Sequence, residues 1–353
     1  MRKKEFCLAL ISVVLAFCIF CKTNQAASEY QAVEEITFQS GSFKVVGDLK
    51  LPKGEGPHSV ILFVHGDGPN NRTSGVTYPP IMDRMLRAGY ATFAWDKPGT
   101  GESTGQIDRR NLTQQRSQIV LDAIEVIKKN TSIDSKKIGL WGISQAGYVM
   151  PLVLEKSKDV SFMIAISCPG GPGVEQGIYL LASQMVCAGY PTEDVKELQQ
   201  QIRKFTMART YEEYVRYKKP LAATPAFRAL AKYGQRIEIT PEKEWHPPSL
   251  DREYYAFDPV KIIEQTKIPV LAFFGEKDTQ VDPNQGMHAY QAALKRAGNP
   301  KSHVQLIPGV DHNLLISETG CIEERNRRSR SGWRNYSPLY LDTLEEWLRH
   351  LYK

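Results

Sequence analysis

Short apolar runs rich in β-branched residues recur along this chain, each followed by a loop and then a stretch of helical periodicity. That alternation, more than any single residue, restricts what the chain can fold into. The run 59–64 reads SVILFV, continuously apolar after its first residue, as expected of a strand covered by helices on both faces. Residues 90–95, 137–141, 162–167, 268–274 and 303–307 read in the same way. Helices are expected at 81–88, 146–156, about 284–297 and 339–351. Another is expected at 111–129, where Leu112, Ile119, Val120, Ala123, Ile124 and Ile127 share a face. Ahead of this series, 33–39 and 43–51 read as an antiparallel pair joined by Ser40-Gly41-Ser42. The fold class is therefore α/β, a mostly parallel central sheet with helices on both faces.

The rhythm breaks between about residues 168 and 257. Val174, Ile178, Leu181 and Met185 fall at helical spacing, as do Val195, Leu198, Ile202 and Phe205. Thr192, followed by Glu193 and Asp194, suits a helix N-terminus. The second half, with Trp245, His246, Tyr254, Tyr255 and Phe257, is richer in aromatics and less regular. An insertion between two sheet strands sits over the strands' C-terminal ends. The expectation is a helical cap that sets the substrate pocket.

Three strand ends carry an ordered trio of reactive residues. The first is Gly142-Ile143-Ser144-Gln145-Ala146-Gly147, a strand, a tight turn and a helix start. Its small residues let backbone approach backbone and lift Ser144 onto a strained turn. The plain alternative is a βα turn in which Ser144 caps the helix. The second is Gly275-Glu276-Lys277-Asp278, where the plain alternative for Asp278 is a loop turn or a cap on the next helix, and Asp282 is a competing acid. The third is Gly309-Val310-Asp311-His312, where Asp311 reads as a solvated loop charge. A serine hydroxyl is a poor nucleophile unless an imidazole takes its proton and a carboxylate orients that imidazole. Here Ser144, Asp278 and His312 supply the three parts. A fourth strand ends in His65-Gly66-Asp67-Gly68-Pro69. The backbone N–H groups of Asp67 and Gln145 are candidates for holding an oxyanion, with the Asp67 carboxylate turned away. His65 reads as a brace for the loop rather than a base. The glycines of the stretch 95–103 (WDKPGTGES) fit neither nucleotide-binding pattern, so it reads as a structured loop.

Taken together, His65-Gly66-Asp67-Gly68-Pro69, the 96–103 loop and the Ser144 turn resemble the α/β-hydrolase superfamily. The likeness is to the bacterial serine esterases and acyl hydrolases with an HGxGP oxyanion loop and a DxxGxGxS loop. It spans roughly 33–167 and 258–351, with Ala146 where the second glycine of G-x-S-x-G is usual; no motif covers the insertion. The resemblance implies Ser144 as nucleophile, Asp278 as orienting acid, His312 as base, and Asp67 with Gln145 as oxyanion donors. It implies cleavage of a small-molecule carboxylic ester through an acyl-enzyme, with no cofactor and no metal. A serine peptidase or amidase on the same triad, and a non-catalytic binding protein of the same fold, are the alternatives. The first often carries a large N-terminal domain, whereas only about 35 residues lie between the signal segment and the first loop here.

Residues 1–27 read as a signal peptide, leaving 28–353 as one α/β-hydrolase domain with the insertion at about 168–257. Met1-Arg2-Lys3-Lys4 is a basic start, 6–20 is an uncharged apolar run shorter than a spanning helix, and Ala26 or Ala27 suits cleavage. The protein is therefore expected outside the cytoplasm, touching a membrane only through this segment or through a lipid at Cys21, whose preceding Phe20 is large for such a site. The segment carries a net +3 of the chain's formal +6, and the remainder is too weakly basic to suggest nucleic acid. Beyond it lie Cys168, Cys187 and Cys321, which allow at most one bridge and read as small buried apolar residues. Arg325, Arg327, Arg328, Arg330 and Arg334 read as a solvated loop, or more sharply as a surface that attracts anionic substrates.

Overall fold

A computed structural model describes residues 30–75, 77–233, 236–247, 253–328 and 335–353. The segment read as a signal peptide, with Cys21, Ala26 and Ala27, lies outside them, as do Arg330 and Arg334. Strands β1 (Tyr30–Ser40) and β2 (Phe43–Pro52) form the antiparallel pair. β3 (His58–Val64), β4 (Ala91–Trp95), β5 (Ile133–Ile143), β6 (Val160–Ile166), β7 (Val270–Gly275) and β8 (His303–Ile307) follow. They make one eight-stranded sheet in the order β1-β2-β4-β3-β5-β6-β7-β8, antiparallel at β1–β2 and β2–β4 and parallel elsewhere. The fold is that of an α/β-hydrolase.

Why the strands are continuously apolar follows from the pleat. Successive side chains point to opposite faces, and here both faces are covered. Val60, Leu62 and Val64 of β3 join one core with α2 (Leu112–Ile127), α3 (Ala146–Lys156) and α9 (Pro283–Ala297). Ile61 and Phe63 join a second core with α1 (Tyr78–Arg87) and α11 (Pro338–His350). The chain moves from β3 outward to β4 on one side, then returns to place β5 on the other. The C-terminal ends of β3 and β5 thus flank the point where strand order reverses, which is where open α/β sheets bind ligands.

Between β6 and β7 the chain builds α4 (Gly173–Cys187), α5 (Thr192–Thr206), α6 (Tyr211–Ala222), α7 (Pro225–Ala229) and α8 (Val260–Ile263). Ile178, Met185, Leu198, Ile202, Phe205 and Phe227 give α4 to α7 an apolar cluster of their own. Helix α6 goes beyond the sequence reading, which saw only irregularity there. Its stripe is disguised by Lys218, which is buried and donates to Tyr214 Oη at 3.0 Å and to the Glu238 carbonyl at 2.9 Å. Thr210 caps its start by accepting from Glu213 N at 3.2 Å.

The cysteine reading needs correction. Cys168 is a buried free thiol, but Cys187 at the end of α4 and Cys321, just before α10 (Ile322–Arg328), form a disulfide across 134 residues. Nothing local marks the pair, because the contact is tertiary. Closing so long a loop restricts the unfolded chain strongly, so replacing both cysteines with Ser should lower unfolding free energy by about 2–5 kcal/mol. Chemical denaturation with and without reductant checks this; an unchanged midpoint would contradict it.

Candidate active site

The serine turn is built by close packing. A Cβ on Gly142 would stand 2.6 Å from Ala146 Cβ, and one on Gly147 2.7 Å from Cys168 Cβ. With Ala at 146, the position across the turn must therefore be glycine. The backbone is pinned by Ser144 N donating to the Ile166 carbonyl at 2.9 Å and Gly147 N to the Ser144 carbonyl at 2.8 Å. Ser144 takes φ +58°, a left-handed conformation costing about 1–3 kcal/mol that persists only where its surroundings impose it. Its half-exposed side chain lines a cavity of about 430 Å³ that His312 also lines.

His312 and Asp278 come from the ends of β8 and β7 and are both buried. His312 Nδ1 lies 2.7 Å from Asp278 Oδ2. The other carboxylate oxygen accepts from Gln280 N at 2.7 Å and Val281 N at 3.0 Å, which fixes its rotamer. With Nδ1–H donated to the carboxylate, Nε2 is left as the basic nitrogen. Asp282 is elsewhere: it caps α9, accepting from Asn284 N and Gln285 N at 3.0 Å each. Ser144 and His312 are joined by the shared cavity; no hydrogen bond links their side chains among the described residues.

The loop after β3 lies against the serine turn, since a Cβ on Gly66 would meet the Ile143 carbonyl at 3.3 Å and Ser144 Cβ at 3.4 Å. Among the described residues the backbone N–H groups of Asp67 and Gln145 have no acceptor, so the turn and the loop each present a free donor. Asp67 itself is exposed.

The chain matches the X-Pro dipeptidyl-peptidase (S15) family over residues 23–312. It belongs to that family. Esterase EstD of Thermotoga maritima is 24% identical over 245 residues, 67% of this chain and 50% of that protein. A protein of the traX–finO intergenic region of Escherichia coli is 34% identical over 100 residues, 28% of this chain and 33% of that one. The matches thus span a third to a half of the length of these curated relatives. Among solved structures, the Pyrococcus furiosus esterase Pf2001 superposes at TM-score 0.55 with 14% identity, over 91% of this chain and 92% of that one, a likeness of fold.

In this S15-family chain several residues that sequence reasoning passed over hold the site. Lys97, in the loop read as plain structure, is buried and donates to the carbonyls of Gly66 at 2.9 Å and Gly68 at 2.6 Å. The Gly66 carbonyl and the Asp67 N–H belong to one trans peptide and point opposite ways. Lys97 therefore fixes the direction of the Asp67 N–H. Burial, then the Arg116 charge, lowers Lys97 to about 6. Arg116, buried in the apolar stripe of α2, donates to Gln145 Oε1 at 2.6 Å and to the His65 carbonyl. A lone cation at helical spacing from Ile119, Val120 and Ala123 was the available signal. His65 braces the loop, with Nδ1 2.8 Å from Tyr78 Oη and Nε2 2.6 Å from the Trp95 carbonyl. Burial, then Lys97, lowers its pKa to about 3, so it stays neutral. At the far end of the loop Arg72 pairs with Asp48 at 2.6 Å, Glu102 at 2.8 Å, Asp96 at 2.9 Å and Glu35 at 3.1 Å.

Three other readings change among the described residues. Asp311 is no solvated charge: it is buried and accepts from Asn313 N at 2.9 Å, Leu315 N at 3.2 Å and Arg328 Nη2 at 2.7 Å. Of the arginine stretch, Arg328 pairs with Asp311 and Arg325 lines the cavity, while Arg327 is exposed. Finally, no described residue of the insertion lines the Ser144 cavity, whose walls include Tyr78, Ile81, Trp141, Tyr336 and Tyr340. The insertion instead grips the acid loop. Tyr179 Oη donates to the Asp278 carbonyl at 2.8 Å, Gln184 Nε2 to Thr279 O at 3.0 Å and Gln176 Nε2 to Gln280 O at 2.9 Å. Adding one methyl at Gly142 should overpack the serine turn. Gly142→Ala is expected to cost about 1–3 kcal/mol in unfolding free energy, measured by denaturant titration; a neutral effect would contradict this packing.

Proposed function

We propose that this chain is an exported serine hydrolase that cleaves carboxylic esters through an acyl-enzyme, with Ser144, His312 and Asp278 as its triad. The observation that carries the reading is the Asp278–His312 pair at 2.7 Å opening onto the same cavity as Ser144 on its strained turn. Ser144 Oγ attacks the ester carbonyl while His312 Nε2 takes its proton, and Asp278 stabilises the imidazolium. The tetrahedral oxyanion is held by the N–H groups of Asp67 and Gln145. The intermediate collapses as His312 returns the proton to the leaving alcohol. Water then attacks the acyl-enzyme, His312 again acting as base, and the acid leaves. The disulfide supports the exported reading, since such bridges persist in oxidising compartments.

The family's name favours a second reading, cleavage of an amide bond in an Xaa-Pro peptide. Such a substrate brings a free ammonium, which a site meets with unpaired carboxylates. Among the described residues the ionisable side chains lining the cavity are Asp67, His312 and Arg325, and Asp67 acts on the buried Arg116. That balance supports the ester. Purified protein should turn over p-nitrophenyl esters, measured from acetate to palmitate, and Ser144→Ala should lower kcat by about 10⁴-fold or more without changing the melting temperature greatly. Faster turnover of an Xaa-Pro p-nitroanilide than of every ester would install the peptidase reading instead.

A further inference from the structure

Among the described residues, the basic side chains Lys97, Arg116 and Arg325 lie beside the site, and the first two have evident structural work. Lys97 holds the Gly66 and Gly68 carbonyls, and Arg116 holds Gln145 and the His65 carbonyl. The third, Arg325, is different. It lies on the cavity wall with Ser144 and His312, and its one side-chain hydrogen bond among the described residues runs from Nη1 to Gln280 Oε1 at 3.0 Å. A guanidinium carries five N–H donors in a fixed fork, so most of its donors are uncommitted.

No ion pair neutralises it among the described residues. The carboxylates close enough to act on it are Asp278 and Asp311. Asp278 is occupied by His312 and two backbone N–H groups, and Asp311 by Arg328 and two more. Burial lowers the Arg325 pKa, the direction expected of a desolvated cation without a partner of its own. Its position is also held from both sides. Cys321, four residues earlier, is bridged to α4, and Arg328, one turn later, is paired to Asp311 at 2.7 Å. Between those anchors Glu324 accepts from Ser317 Oγ at 2.9 Å and Thr319 N at 2.8 Å. A preordered, partly desolvated guanidinium that lines the same cavity as Ser144 is suited to binding an anion.

We infer that Arg325 is a substrate-recognition residue and that the ester bound here carries a second, free carboxylate, as in a monoester of a dicarboxylic acid. The inference rests on the ester-hydrolase reading above and names its substrate class. The tyrosines and Trp141 receive the apolar spacer, and the free carboxylate takes the Nη2 and Nε edge of Arg325. The exposed Arg327 on the same helix has no such role.

The test measures binding rather than turnover. Calorimetry on Ser144→Ala compares monomethyl glutarate and 4-acetoxybutanoate with the neutral methyl pentanoate. The two anions place the carboxylate on the acyl and the alcohol side respectively. At least one anionic ester is expected to bind about 10-fold or more tightly than the neutral one, with a preference that weakens as salt is added. Arg325→Gln in the same background removes that preference, and Arg327→Gln keeps it. Equal affinity for anionic and neutral esters, no measurable binding of any of them, or a preference that survives Arg325→Gln overturns the inference. Failure of the hydrolase reading shows separately, as absence of fluorophosphonate labelling of the wild-type serine.

Discussion

The left-handed backbone at Ser144 is the constraint on which the rest of the site depends. A side chain at φ +58° is held there by contacts that leave no room for a methyl group at 142 or 147. The strain turns the hydroxyl off the end of β5 and into the cavity rather than along the strand. It also begins α3 at once, so that the first free N–H of that helix, at Gln145, stands beside the serine. Position and electrostatics therefore come from one local conformation. The sheet supplies the setting, because the strand order reverses between β3 and β5 and opens a crevice at their ends.

The other parts of the site are loops, and each is fixed from outside itself. Buried Lys97 and Arg116 clamp the loop after β3 through its carbonyls, and the bond to the Gly66 carbonyl fixes the direction of the Asp67 N–H. The acid loop after β7 is clamped by donors from a single helix of the insertion, and that helix is itself bridged to the segment after β8 by Cys187–Cys321. The described part of the insertion thus buttresses the loop that carries Asp278 and does not line the cavity. The cavity opens instead on the face built by α1, α11 and the arginine helix α10. Its described walls come from both sides of the serine turn, Tyr78 and Ile81 before it and Arg325, Tyr336 and Tyr340 after His312.

What was legible in the sequence was what local pattern encodes. Runs such as 59–64 declare a strand with two covered faces, and the small residues around Ser144 declare a turn. Asp278 and His312 stand just past such runs, and the structure brings both to the end of the sheet that carries Ser144. What was not legible depends on partners far away in the chain. Asp311 looks solvated until Arg328 is folded over it, and Arg325 looks like one of five surface charges until α10 turns it inward. Cys187 and Cys321 are 134 residues apart, and no spacing rule pairs them. Helix α6 was missed because its buried Lys218 breaks the apolar stripe, and burial of that lysine is made tolerable by Tyr214, the Glu238 carbonyl and the Phe205 ring.

The central claim is that Ser144 becomes covalently acylated, and rapid quenching addresses it directly. Protein mixed with excess p-nitrophenyl ester, stopped in acid and analysed by peptide mass spectrometry is expected to carry one acyl group on the peptide containing Ser144. Slowing deacylation with a bulky acyl group should raise the modified fraction. Steady turnover with no acylated Ser144 peptide at any quench time, or acyl transfer to a different residue, would contradict the account.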